Sequence, residues 1–417
     1  MVAHREQGMH GRLRVVDSLR FVAALAVVFF HYTGRDSVAW GESVREVFPF
    51  LSRFTVYGGF GPYLFFMISG FVILMSTWGR SVPSFLGSRV GRLYPAYWFA
   101  VVFTGLVLVT NQDLLGAEWD AVGPAGAALN LTMFQTAFGV EHLDGAFWTL
   151  WVELKFYLLL LGMALIGITR ERMLALCLVW PVAGALAART DSVLLSELLV
   201  PKYAPFFCIG ILIYLVYREG WSAGIGLLLG LNYCIALWVC SVHYIPWSER
   251  VAGVPVSFRA LAVLLTLCIA ALVVATLTPV SRVDWRWLTV LGALTYPLYV
   301  IHQVSGWVLL NRLGPVLPAY VAVAVVIALM LALAYLVHRY VERPLGTRLR
   351  RAVERDLSGA LARTQPAVSR PETFDRHTGT LHHGVDRGRR LPPLPSSGLS
   401  AGPAGRTGEL VDASRAR

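Results

Sequence analysis

Charge is scarce in this sequence. Asp, Glu, Lys and Arg make up 15% of the 417 residues while 56% are hydrophobic, against about 25% charged in a soluble domain. That excludes an ordinary soluble globular chain and points to an all-α polytopic membrane protein. Paired cysteines are lacking as well. Cys177, Cys208, Cys234, Cys240 and Cys268 lie singly inside apolar stretches, with no C-x-x-C, so neither a disulfide framework nor a metal site is expected. No nucleic-acid-binding motif accompanies the net charge of +11. The arginines fall between and after apolar runs, where orientation in a bilayer accounts for them, and a nucleic-acid partner is not expected. No repeat of 20–50 residues and no inverted duplication of the transporter kind is apparent.

What is present is a series of apolar runs near 16–33, 58–78, 94–110, 146–168, 172–188, 198–217, 221–242, 258–278, 288–310 and 316–338. Each is about long enough to span a bilayer, which predicts about ten transmembrane helices and both termini on one side. Arginine distribution sets that side. With an inward N-terminus the inner segments hold Arg80, Arg89, Arg92, Arg170, Arg172, Arg218, Arg282 and Arg286, whereas the outer stretch 111–145 has no Lys or Arg and five acidic residues. Both termini are therefore expected in the cytoplasm. The first run follows Arg5, Arg12 and Arg14, as a signal peptide would, but no small-residue cleavage site follows Phe30, and a retained helix is expected. Residues 1–14 read as a cytoplasmic segment, 15–345 as the membrane domain, and 346–417 as a disordered basic tail containing L-P-P-L-P at 391–395 and His377, His382 and His383. Asn130-Leu-Thr132 matches a glycosylation sequon, a pattern short enough to arise by chance.

Five places could carry chemistry. In D-S-L-R-F-V-A-A-L-A-V-V-F-F-H, Asp17 to His31, eleven helical steps return His31 to within roughly 20° of Arg20, about 16 Å further along the axis. A headgroup arginine and an interfacial histidine explain this pair, as does one functional face with a cation at one end and an imidazole at the other. The second run, Gly58 to Ile73, has Ser69 and Gly70 at its middle, either a packing notch or a polar site. Arg89 and Arg92 follow in R-V-G-R-L-Y-P-A-Y-W. At i and i+3 they share a face, suited to phosphates or only to orienting the helix. Glu153, in F-W-T-L-W-V-E-L-K-F-Y, lies deep in an apolar run and must be paired, protonated or functional; Tyr157 shares its face and Lys155 reaches toward headgroups. In L-T-Y-P-L-Y-V-I-H-Q, Pro297 should kink the helix, while Thr295, Tyr299 and His302 share a face as structural groups or as acceptor contacts. At the end of the last run, Glu342 is expected to pair with Arg339 or Arg343.

Taken in this order over residues 15–345, these blocks, together with F-F-M-I-S-G-F and V-E-R-P, resemble the acyltransferase-3 family of bacterial membrane O-acyltransferases. Lys155 stands where the family more often has glutamine, and Ser18 and Phe21 where glycines are common. The resemblance implies that cytoplasmic acyl-CoA, often acetyl-CoA, is the donor substrate, with no bound cofactor, and that the acceptor is a carbohydrate or glycosylated small molecule. The family's Arg-x10-His and Arg-x-x-Arg patterns fall on Arg20, His31, Arg89 and Arg92, and its W-x-L-x-x-E block on Glu153. On that footing His31 is expected to be the general base, Glu153 to orient it, and Arg20, Arg89 and Arg92 to hold the donor's phosphates. Ser69 is a conceivable covalent relay. Two other classes remain open from the residues alone: a proton-coupled transporter or flippase using the same His, Glu and Arg, and a scaffold acting through its proline-rich tail.

Overall fold

A computed structural model describes residues 13–364. Helices are the only regular structure among these residues, without a strand, and residues 13–362 form one packed unit. The main helices are α1 (Arg14–Phe29), α2 (Gly61–Thr77), α3 (Val82–Thr110), α4 (Gln112–Asn130), α5 (Trp148–Ile166), α6 (Arg170–Ala187) and α7 (Ala204–Glu219). They are followed by α8 (Ala223–Val239), α9 (Phe258–Leu277), α10 (Arg286–Ile301), α11 (Gln303–Leu313), α12 (Ala319–Val337) and α13 (Arg343–Thr364). Local chemistry starts many of them. Pro62, Pro83 and Pro205 occupy the first turns of α2, α3 and α7, where a missing N–H costs nothing. Thr169, Ser222 and Ser257 cap α6, α8 and α9 with their hydroxyls.

At the centre, α10 packs on α1, α1 on α2, and α2 on α7. Glycines permit the closest approach. A Cβ at Gly70 would fall on the carbonyl of Phe207, and one at Gly210 on that of Met67, so α2 and α7 meet backbone to backbone, as small residues allow inside a membrane. The outer helices α8, α9 and α12 expose large apolar side chains such as Leu227, Leu267 and Leu329, a surface suited to lipid. The chain is a multi-pass membrane protein.

Eight stretches of the described residues are long and apolar enough to cross a membrane, compared with about ten expected. The run at 172–188 is helical, but α6 opens on Arg170, Glu171 and Arg172. The run at 288–310 is broken at His302 into α10 and α11, of 16 and 11 residues. Apolar content alone hides this break, because an acceptor from elsewhere in the chain sustains it: the Val304 N–H donates to the Asp144 carboxylate at 3.2 Å. The interruption lies at His302, beyond Pro297, which α10 accommodates.

Three further expectations change. Residues 346–364, read as the start of a disordered tail, are helical in α13, which follows α12 through a single wide turn at His338–Glu342 and carries the Arg350–Glu354 pair at 3.0 Å. The stretch 111–145 contains α4, whose backbone departs from helix at Leu115 and Gly123, and Asn130 is fully buried, its amide donating to Gly126 and Glu141 carbonyls, so the sequon offers no accessible nitrogen. Glu342 pairs with His338 at 2.8 Å in place of an arginine, since the wide turn brings the i and i+4 side chains together. Residues 1–12, the tail histidines and the L-P-P-L-P segment lie outside the described residues.

Candidate active site

Two groups of polar side chains occupy the interior. The first lines a cavity of about 540 Å³ among α1, α2, α3, α5 and α10. Arg20, Arg92, Ser69, Glu153, Thr295 and Tyr299 all face it, with Phe65, Phe66 and Leu150 as apolar wall. Helical periodicity explains the convergence: each residue lies on the inward stripe of its own helix. Glu153 is the hub. One carboxylate oxygen accepts from Tyr157 at 2.6 Å and from Ser69 at 3.1 Å, and Arg20 feels the charges of Arg92, Glu153 and Asp17. Two guanidinium groups against one carboxylate leave the wall cationic.

Arg89 does not share this wall. It is buried, donates to the Ser76 hydroxyl at 3.0 Å and lies over the Tyr157 ring at 5.7 Å, so it supports Tyr157 from behind. The i, i+3 spacing brings Arg89 and Arg92 near each other, but only Arg92 turns into the cavity. Lys155 points away as well, to Glu197 at 2.9 Å and the Trp151 ring at 5.0 Å.

The second group lies where a widened turn at Phe30–Gly34 meets the break between α10 and α11. His31 and His302 face each other there, His302 Nε2 standing 3.1 Å from His31 Nδ1. Two more bonds stitch the breaks together, Tyr32 to the His302 carbonyl at 2.8 Å and Trp307 to the His31 carbonyl at 2.9 Å. Such wide turns recur at functional sites. Asp144, which precedes the span Gly145–Ile166, anchors the arrangement by accepting from both Ala146 N–H and Val304 N–H. Burial pushes its carboxyl up to about 6, a rise those two bonds restrain.

The hydrogen bonds assign the proton positions. His302 Nδ1 lies 2.7 Å from the Tyr299 carbonyl, which can only accept, so that nitrogen carries the proton. In the neutral ring Nε2 is then an acceptor. His31 Nδ1 therefore carries its own proton, shared between His302 Nε2 and the Val27 carbonyl at 2.9 Å. The lone pair of His31 is left on Nε2, which takes part in none of these bonds. His31 is 8% exposed as a residue, whereas His302 is fully buried.

The six cavity residues thus converge, and Tyr157 joins them through Glu153. His31 and His302 do not line the cavity; they connect to it through Tyr299, whose ring faces the cavity and whose carbonyl holds His302. Glu153 does not stand behind His31. The position is filled by His302, because Ser69 and Tyr157 engage the carboxylate on its own helix face and on α2. Asp144 and the pairing of the two histidines escaped the reading of the sequence. An Asp directly before a helical run is an N-cap signal, but its second oxygen reaches 160 residues along the chain.

The described residues thus form a helical membrane bundle whose cationic cavity is tied to a buried imidazole pair. Residues 13–339 match the family model described as an acyltransferase domain, Acyl_transf_3. The chain belongs to the acyltransferase-3 family and is a membrane acyltransferase. Neither the curated proteins nor the solved structures contain a significant match.

Proposed function

We propose that the chain moves an acyl group, acetyl in the simplest case, from cytoplasmic acyl-CoA to a hydroxyl of a sugar-containing acceptor, with His31 as general base. The observation that carries this reading is the bond sequence Tyr299–His302–His31, which leaves a lone pair on His31 Nε2. The acceptor oxygen attacks the thioester carbon as its proton passes to Nε2. The carbon–sulfur bond then breaks, and the imidazolium returns the proton to the departing thiolate. His302 positions the ring, and Arg20 and Arg92 hold negative charge of the donor in the cavity on the other side of Tyr299. The thioester must pass Tyr299 to meet the base. The arginine distribution supports a cytoplasmic donor side and cytoplasmic termini in the inner membrane.

The test is incubation of membranes containing the chain with radiolabelled acetyl-CoA. Label should pass to an extractable acceptor, and His31→Gln should lower the rate about 10²–10⁴-fold with expression unchanged. A near-normal rate in that variant would remove the base assignment. Movement of an unmodified solute without coenzyme A would support a transporter. Label held by the protein and lost in Ser69→Ala would show a relay through the serine that donates to Glu153.

A further inference from the structure

Where α13 crosses α3 there is a second space, an open groove of about 1180 Å³, and it meets the first. Arg92 lines both. The crossing is fixed by glycines: a Cβ at Gly91 would lie 2.6 Å from the Gly346 carbonyl oxygen, and one at Gly346 would lie 2.5 Å from that of Gly91. The helix expected to be tail is thus seated on the Arg-x-x-Arg turn, at residues beyond the 13–339 that match the family model.

The groove's charge is unbalanced. Arg92, Arg343, Arg350 and Arg351 face it against Glu342 and Glu354. Four arginines thus meet two carboxylates; Glu354 is engaged by Arg350 at 3.0 Å and Glu342 by His338 at 2.8 Å, and no carboxylate lies within salt-bridge distance of Arg92, Arg343 or Arg351 among the described residues. Guanidinium forks at a wet, open surface suit phosphate oxygens. The first cavity is smaller, and beside its two guanidinium groups it is walled by Phe65, Phe66 and Leu150, suited to the uncharged arm that follows the phosphates.

We infer that α13 builds the seat for the phosphate-bearing nucleotide end of the acyl donor, with Arg343 and Arg351 facing its phosphates and Arg92 marking where the arm turns inward. This rests on acyl-CoA being the donor and adds where its nucleotide lies. The same guanidinium groups could hold the phosphate of an anionic lipid, and the experiment separates the two sources.

The full chain is placed in nanodiscs of phosphatidylcholine and titrated with 3′-phosphoadenosine 5′-diphosphate, the nucleotide end without its thiol arm. The wild type should bind it. Arg343→Gln with Arg351→Gln should weaken binding about 10- to 100-fold, and the corresponding double Lys variant should restore most of it, which a folding defect would not allow. Adding phosphatidylglycerol should leave the affinity unchanged. Equal binding by the Gln variant, no binding by the wild type, or displacement by phosphatidylglycerol overturns the assignment. Because this readout needs no turnover, absence of acetyl transfer alongside arginine-dependent nucleotide binding would count against the transfer reaction and for the groove. Transfer from acetyl-CoA with an unaltered KM in the Gln variant would do the reverse.

Discussion

The two interior sites are built by different means. The cavity with Arg20, Arg92, Ser69 and Glu153 is made by intact helices presenting their inward faces. The His31–His302 pair is made where helices fail, at a widened turn in one and a break in the other. Intact helices place charged groups cheaply, since their backbone is already satisfied. Broken helices release N–H and C=O groups that must find partners. Here those partners, Asp144, Tyr32 and Trp307, also fix the rings. On the proposed reading, rigid placement is what the base needs and what a cation facing a flexible polyanionic donor does not.

That contrast predicts unequal responses to substitution. The largest after His31 itself is at its neighbour. His302→Ala should cut kcat about 10- to 100-fold with the donor KM little changed, because a misplaced base slows chemistry more than binding. His302→Gln, whose side-chain oxygen can accept from His31 Nδ1, should recover part of the loss. A KM effect with kcat intact would mean that His302 serves binding. The smaller effect is at the cavity. Arg20→Gln should raise the KM for acetyl-CoA about tenfold, the worth of one charge-assisted hydrogen bond, with kcat nearly retained. A collapse of kcat would merge the two sites into one catalytic unit and dissolve the comparison.

The sequence shows the same division. Arg20, Arg92, Glu153 and Tyr299 were legible because periodicity says which face of a helix a residue occupies, and an unexpected charge in an apolar run marks that face as inward. Partners across helices were not. Nothing local says that His31 meets His302, 271 residues away, or that Glu153 turns to Ser69 and Tyr157. The break at His302 was hidden because its acceptor comes from Asp144. The helix α13 was missed because its polar composition resembles disorder, and its seat on α3 depends on Gly91 and Gly346 meeting in space.

The most direct measurement is ¹⁵N NMR of histidine-labelled protein, with the His31 signals assigned by their loss in His31→Gln. The account predicts a neutral ring protonated at Nδ1, with Nε2 at the shift of an unprotonated nitrogen. In His302→Ala that preference should weaken. A proton resident on Nε2 of His31 in the wild type would contradict it, since the nitrogen assigned to receive the acceptor's proton would already be occupied.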